Sequence, residues 1–170
     1  MTSRVRRRAA DGSGRGPAAT IDRTTGTNIG DMTVGGGLAG AFDGTTNQAA
    51  TSGAQLNSTQ NAYVGKTTAV PTAIESVRVF GSNNNGYVNT VDPTVTLTLF
   101  GKNGSAPANS ADGTSIGSIN FTDTSNESTG RDITSSDTAT YWDHVWVRIT
   151  ISGGTNRTVN IAELQMTGWI

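Results

Sequence analysis

One acidic residue near the end of the chain lies where a charge is difficult to accommodate. Glu163 follows Ala162 in a stretch whose apolar positions are odd-numbered before this pair and even-numbered after it. A strand keeps one face buried across such a change of phase only if an extra residue bulges out. Burying an unpaired carboxylate is costly. The pattern therefore predicts that either a basic residue or a cation meets Glu163.

Three glycine-containing motifs are similar to catalytic or nucleotide-binding loops but lack the context that those loops require. They are Gly113-x-Ser115-x-Gly117, the segment Gly35–Gly40 and Gly65-Lys66-Thr67. The first two need a helix directly after the turn, and the third needs a glycine where the chain has Gln60. We interpret them as a structural turn, a hinge and a strand end. No catalytic constellation is left, and the sequence predicts a protein that is not an enzyme.

Aromatic residues gather around the only histidine of the chain. Tyr141, Trp142 and Trp146 lie within three residues of His144. The alternation of the following strand places His144 and Trp146 on the side away from the core. Such residues suit either a surface without a partner or a contact in a ligand or subunit interface, where tryptophan is enriched.

Alternating apolar residues predict several short strands and no long helix. The clearest are Thr94–Phe100 and residues 145–151, with inward-facing apolar residues separated by polar ones. The residues Gly153-Gly154-Thr155-Asn156 predict a turn, after which a second run returns through residues 159–166. We expect helix in fewer than about 10% of residues. The residues expected to be buried are Val95, Leu97, Leu99, Val147, Ile149 and Ile161.

The first fifth of the chain differs from the rest in charge and in apolar content. Six arginines and two aspartates give residues 1–30 a positive balance, whereas the remainder has 6 basic and 11 acidic residues. Residues 1–33 have few apolar side chains, so we predict a basic docking arm followed by one domain at 34–170. No apolar run approaches the length of roughly 18 residues that a membrane span needs. The chain has no cysteine, which excludes disulfides and thiolate metal sites.

Two separated motifs carry a resemblance to a known family. The segment Asn160–Gly168, NIAELQMTG, resembles the closing strand of discoidin-like (coagulation-factor C-type) domains, and Ala41-Phe42-Asp43-Gly44 resembles their entry motif. The resemblance implies an all-β fold, an antiparallel β-sandwich of the discoidin-like jelly-roll type within the galactose-binding-like group, here with an extended N-terminal arm. The strand ends Phe80-Gly81-Ser82 and Leu99-Phe100-Gly101, with the turn 112–117, are similar to discoidin-like segments of tailed-phage particle proteins.

The same resemblance implies a structural Ca²⁺ ion between the entry motif and the closing strand. By position, Asp43 and Glu163 would supply carboxylates, and Gly40, Thr45 and Ala162 would supply backbone carbonyls. Gln48 stands where the family has threonine or serine, and its amide oxygen can also bind Ca²⁺. The alternative is that Lys66 or an arginine pairs with Glu163.

Long loops between the predicted strands supply the candidate glycan contacts. Loops of this length are uncommon unless they bind something. The candidates are Asn83, Asn84, Asn85, Tyr87, Arg131, Trp142, His144 and Trp146.

These observations favour a non-catalytic structural or attachment subunit of a phage-like particle, such as a head fibre, head spike, decoration or tail-fibre protein. Arg4, Arg6, Arg7 and Arg8 would dock the arm on other virion proteins, as part of a homo-oligomer, while the sandwich faces a host-surface polysaccharide. Such a protein is made in the bacterial cytoplasm and released by lysis with the virion. Two alternatives are a secreted or cell-surface bacterial carbohydrate-binding module and a nucleic-acid-binding protein. The acidic domain and the absence of aromatic residues from the arm argue against nucleic acid.

Overall fold

The protein is an antiparallel all-β structure. The computed structural model describes residues 15–49, 51–59, 61–89, 93–123, 129–152 and 157–170. These ranges contain one short 3₁₀ helix, Leu38–Phe42, and none of their helices is long and apolar enough to cross a membrane. The strands are β1 Ala19–Thr20, β2 Thr27–Gly30, β3 Val34–Gly35, β4 Ala54–Thr59, β5 Asn61–Phe80, β6 Thr94–Lys102, β7 Thr114–Thr122, β8 Arg131–Thr134, β9 Trp142–Ser152, β10 Arg157–Ile161 and β11 Glu163–Trp169. The all-β fold class and the small helix content predicted from the sequence are confirmed.

The long strand β5 belongs to both layers of the sandwich. Its first half pairs with β2 and β9, and β9 continues the layer through β6 to β7. After a shift in register between Thr67 and Thr72, its second half pairs with β11 and β8, and β1 pairs with the free side of β11. A third, small sheet has the order β10-β4-β3. Residues 61–80 are therefore one strand that contributes to both layers.

Apolar residues with period 2 fill the space between the layers. Leu97 pairs with Ile149 and Leu99 pairs with Val147 across the β6–β9 ladder, and all four are fully buried. Val95 and Ile161 are buried as well, so the six predicted core residues are confirmed. Burying such a side chain contributes about 1.5–3 kcal/mol each, which makes these rows the main source of stability.

The change of phase at Ala162 is a change of sheet and not a bulge. Strand β10 ends at Ile161 and pairs with β4, whereas β11 begins at Glu163 and pairs with β5. Between them, the Ala162 amide donates a hydrogen bond to the carbonyl oxygen of Phe80 at 2.8 Å. The predicted bulge within one strand is therefore wrong. The apolar face changes because the partner layer changes.

The domain begins well before residue 34. Strand β1 pairs with β11, β2 pairs with β5, and Met32 is fully buried. Arg15 lies over the rings of Tyr141 and Trp169, at 5.0 and 5.3 Å from their centroids. The predicted boundary at residue 33 therefore needs correction, because residues 15–33 are part of the sandwich. Arg4, Arg6, Arg7 and Arg8 lie outside the described residues.

Candidate functional site

The loop after the 3₁₀ helix lies against the junction of β10 and β11. The Gln48 side-chain amide donates hydrogen bonds to the carbonyl oxygens of Gly40 at 3.0 Å and Ala162 at 2.5 Å. Gln48 is itself buried. The fold therefore brings together three of the residues predicted to bind Ca²⁺.

Glu163 is the fully buried carboxylate of this region. Its Oε2 atom accepts a hydrogen bond from the Gly44 amide at 3.0 Å, and its Oε1 atom lies 3.9 Å from Nε of Arg23. Gly44 has a φ of 88°, which glycine adopts without strain and which allows the loop to turn its amide inward. Burial raises the pKa of Glu163 to about 7, and Asp43 acts in the same direction, while the Gly44 amide and the Arg23 guanidinium oppose the rise.

The chemistry of these groups fits a hard cation in part. Oε1 of Glu163 is buried and has no hydrogen-bond partner among the described residues, and a cation would satisfy it. Asp43 is exposed, and its Oδ1 atom accepts a hydrogen bond from the Thr45 amide at 2.8 Å. Gln48, however, presents its nitrogen to both carbonyl groups. A cation therefore fits this donor set only with the Gln48 amide turned to present its oxygen.

Arg23 provides the positive charge nearest to Glu163 within the described chain. The other basic residue considered, Lys66, lies against the Phe42 ring at 4.6 Å from its centroid and has no ion pair with Glu163. The sequence did not single out Arg23, because it lies in the segment predicted to be an arm.

A tight turn at residues 82–86 carries the asparagines predicted to contact glycan. The Ser82 amide donates to the Gly86 carbonyl at 2.8 Å, and Gly86 has a φ of 61° that favours glycine. Asn84 is exposed, and the Asn83 amide donates to the Gln48 carbonyl at 3.0 Å. The turn is thus attached directly to the loop that contains Gln48.

Two buried residues, Tyr87 and Asp123, anchor this turn to the core. Tyr87 is fully buried, and its hydroxyl donates to the Val79 carbonyl at 2.6 Å, so it does not serve as a surface contact as predicted. Oδ2 of the buried Asp123 accepts hydrogen bonds from the amides of Tyr87 at 2.9 Å and Val88 at 2.8 Å. Sequence reasoning missed Asp123, because an aspartate in a polar loop carries no sign that it will be buried.

Phe121 connects the turn to Arg131. The rings of Tyr87 and Phe121 meet edge to face at 5.2 Å, and the Arg131 guanidinium lies 4.6 Å from the centre of the Phe121 ring. Asn83, Asn84, Asn85, Phe121 and Arg131 therefore lie at one end of the sandwich, which we call the asparagine end.

The remaining predicted contacts lie elsewhere and are buried. Trp146 stacks on Phe100 at 5.4 Å and donates from Nε1 to the Ser110 carbonyl at 2.9 Å. His144 is hydrogen-bonded through Nδ1 to Thr67 at 2.8 Å and through Nε2 to the Gly104 carbonyl at 2.9 Å. Trp142 is buried too. His144 and Trp146 do point away from the core, as predicted, but residues 103–112 cover them, so the expected exposed platform is not formed.

These two groups of predicted contacts do not form one site. Val95 pairs with Phe121 near one end of β6, whereas Lys102 pairs with His144 at the other end. A nine-residue strand at about 3.3 Å per residue separates its ends by roughly 25 Å. Of these two groups, the asparagine end is the one that combines an exposed amide side chain, that of Asn84, with an arginine.

The fold has counterparts among solved structures, although no protein-family model matches the sequence and no curated protein sequence is similar to it. The lectin-binding domain of lectinolysin, in a complex with Lewis b, has a TM-score of 0.61 and 16% identity, covering 91% of this chain and 100% of that domain. A fucolectin from striped bass (Morone saxatilis) serum has a TM-score of 0.60 and 14% identity over 88% of this chain, which spans 49% of the fucolectin. The carbohydrate-binding module CBM32 of AlyQ, in complex with 4,5-unsaturated mannuronic acid, has a TM-score of 0.52 and 15% identity, with 82% of this chain and 92% of the module covered. The protein therefore has the discoidin-like β-sandwich fold of these lectin and carbohydrate-binding domains.

Proposed function

We propose that this protein is a non-catalytic glycan-recognition module and that the asparagine end is its binding surface. The observation that carries the proposal is that the buried residues Asp123 and Tyr87 hydrogen-bond the chain on either side of the 82–86 turn, which presents the exposed Asn84 at the surface. Amide and guanidinium groups donate hydrogen bonds to sugar hydroxyls and ring oxygens, and amide oxygens accept them. The similar folds named as lectins and carbohydrate-binding modules support the same interpretation.

A glycan array followed by calorimetry tests this proposal. The array should include Lewis b and mannuronate oligosaccharides, because similar folds are named with these ligands. For any glycan that binds, Asn84→Ala and Arg131→Ala should each weaken binding at least tenfold, since each removes hydrogen-bonding groups from the surface.

Matched controls separate the asparagine end from the rest of the surface. Asn120→Ala on β7 and Arg157→Ala at the start of β10 remove the same residue types from exposed positions in strands. These variants should bind as the unchanged protein does. If no glycan binds, or if the control and test variants lose affinity equally, the asparagine end is not a glycan site.

The cellular setting that we propose is the surface of a phage-like particle. The basic start of the sequence, with Arg4, Arg6, Arg7 and Arg8, would dock on other virion proteins, and the sandwich would face a host-surface polysaccharide. Support comes from the opposite charge balance of the two parts of the chain and from the resemblance of residues 80–82, 99–101 and 112–117 to phage-particle segments. Purified particles that lack this chain would exclude this setting.

We include a structural Ca²⁺ ion in the proposal. Asp43, Glu163 and the carbonyl groups of Gly40, Thr45 and Ala162 would hold it, together with the turned amide of Gln48. The buried Oε1 atom of Glu163 supports this assignment. Bound there, Ca²⁺ would neutralise the carboxylate and fix the loop that is attached to the 82–86 turn.

A further inference from the structure

A cavity of about 390 Å³ opens between the two layers, beneath the N-terminal segment. Strand β1 and the residues after it form one side, and β11 forms another. Most of the walls are apolar. The residues that matter for a ligand are Ile21, Phe42, Val70, Leu164, Met166 and Trp169. Binding cavities for small molecules commonly have volumes of roughly 300–1,000 Å³, so this one is large enough for a compact ligand.

Lys66 introduces a positive charge into this apolar cavity. Along β5, Ala62, Val64 and Lys66 alternate on the inward face, and the first two are fully buried core residues. Lys66 itself is 6% exposed. Its ammonium group lies 4.6 Å from the centre of the Phe42 ring and makes no hydrogen bond or ion pair with any residue that the structure describes.

None of the described acidic residues around the cavity contacts the Lys66 ammonium group as a counter-ion. Arg23 also lines the cavity, but its guanidinium lies beside Glu163. Asp22 lines it as well, although this exposed carboxylate accepts hydrogen bonds from the amide and hydroxyl of Thr24. Burial lowers the pKa of Lys66, and Asp22 only partly opposes this effect. The Lys66 side chain is buried along most of its length, but its nitrogen is not one of the described polar atoms that are fully enclosed without a partner, so its three donors can meet a ligand that enters the cavity.

We propose that this cavity binds a small amphipathic carboxylate, which pairs with Lys66 and lays its apolar body along Leu164, Met166 and Trp169. A monoanion matches the Lys66 ammonium group, because Arg23, the other basic residue in the described lining, already lies beside Glu163. A second, more open cavity of about 410 Å³ shares Lys66, Phe42 and Arg23 with the first and gives the carboxylate a polar side. This ligand class is distinct from the glycan proposed for the asparagine end.

The first test compares octanoate with octan-1-ol on the full-length protein at pH 7. Binding is measured by calorimetry and by amide chemical-shift changes in NMR spectra. Octanoate should bind at least tenfold more tightly than the alcohol, because a charge-assisted hydrogen bond to Lys66 is available only to the carboxylate. The affected amides should belong to β1, residues 66–72 and β11. Equal binding of acid and alcohol, or no binding of octanoate, would overturn the proposal.

Substitutions then test the role of Lys66. Lys66→Met keeps the length of the side chain and removes the charge, so octanoate should bind at least tenfold more weakly while octan-1-ol binds at least as well. Lys66→Arg should retain the preference for the acid. Lys102→Met is the matched control, because Lys102 belongs to the opposite face of this layer and pairs with Asp112 at 2.7 Å. An unchanged affinity of Lys66→Met for octanoate would show that the ammonium group is not the counter-ion.

Discussion

The buried carboxylate of Glu163 makes the stability of the cation-free protein depend on pH in a specific direction. The pKa of Glu163 is about 7 in the folded protein and 4.5 in the reference state. Between these values the folded state holds a proton that the unfolded state has released. The contribution of Glu163 to the free energy of unfolding is therefore fully present below pH 4.5 and is lost as the pH rises through 7.

The magnitude follows from the difference between the two pKa values. Each pKa unit corresponds to about 1.4 kcal/mol, so the shift amounts to roughly 3 kcal/mol between pH 4.5 and pH 8. For a chain of this length, such a loss lowers the melting temperature by roughly 6–12 °C. Glu163 is fully buried, and loss of hydration is the main cause of its raised pKa, so solvent screening does not reduce this contribution.

Urea unfolding of the wild type and Glu163→Gln, at pH 5 and pH 8 in the presence of a chelator, measures this contribution. Other groups also titrate in this range, but the difference between the two proteins isolates Glu163. The free energy of unfolding of the wild type should fall relative to that of Glu163→Gln as the pH rises. If both proteins respond to pH identically, Glu163 is not a buried group with a raised pKa.

Added Ca²⁺ extends the experiment to the proposed ion. A cation binds the deprotonated carboxylate, so Ca²⁺ should stabilise the wild type more at pH 8 than at pH 5. A concentration one hundred times the dissociation constant adds about 2.7 kcal/mol. Glu163→Gln should gain much less. Identical melting curves with chelator and with Ca²⁺ at pH 8 would eliminate the ion. Among the described residues, the Gly44 amide and the Arg23 guanidinium would then be the groups that meet the Glu163 carboxylate.

Two further predictions concern the N-terminal segment and the support of the 82–86 turn. Deleting residues 1–14 should leave the melting temperature unchanged and prevent incorporation into particles. Deleting residues 1–33 should also lower the melting temperature, because it removes β1, β2 and buried Met32. Incorporation of the shorter deletion at the wild-type level would refute docking through the first 14 residues. Asp123→Ala should destabilise the protein by roughly 2–4 kcal/mol, because the amides of Tyr87 and Val88 lose their acceptor, and it should weaken glycan binding as well, whereas Asp112→Ala should leave glycan binding unchanged. Urea unfolding and calorimetry check this pair, and a normal stability of Asp123→Ala would contradict the supporting role.

The sequence predicted the strands in which apolar and polar residues alternate. It did not predict the strands whose conformation depends on pairing with segments distant in sequence. Val95, Leu97 and Leu99 alternate with threonines, and this pattern alone identifies β6. Strands β4 and β8 contain few apolar residues, and their pairing with β10 and β5 determines their conformation. The alternation of residues in β9 also does not predict whether Trp146 is exposed or buried. That exposure depends on residues 103–112, which cover Trp146, and on Gly65, where an added Cβ atom would lie only 2.3 Å from the Cβ atom of Trp146.

The candidate cation loop shows the same division between local and distant information. The approach of Gly40, Gln48, Ala162 and Glu163 follows from matching two short motifs. The motifs do not predict the orientation of the Gln48 amide or the position of Arg23 beside Glu163. Both result from packing between segments more than 100 residues apart in sequence. A sequence motif can therefore place the oxygen atoms of this loop, but it cannot decide which positive group satisfies them.

The arginines near the start of the chain have different physical roles despite their similar surroundings in sequence. Arg15 donates hydrogen bonds to the carbonyl groups of Thr138 and Ala139 and lies over two aromatic rings, and Arg23 lies beside Glu163. Both arginines make contacts within the sandwich, so replacing them would change the stability of the fold as well as any docking. The salt dependence of particle docking should therefore reflect at most the four arginines from Arg4 to Arg8 and not all six. Neutralising those four while keeping Arg15 and Arg23 should separate docking from folding, because the residues that stabilise β1 and β2 remain in place.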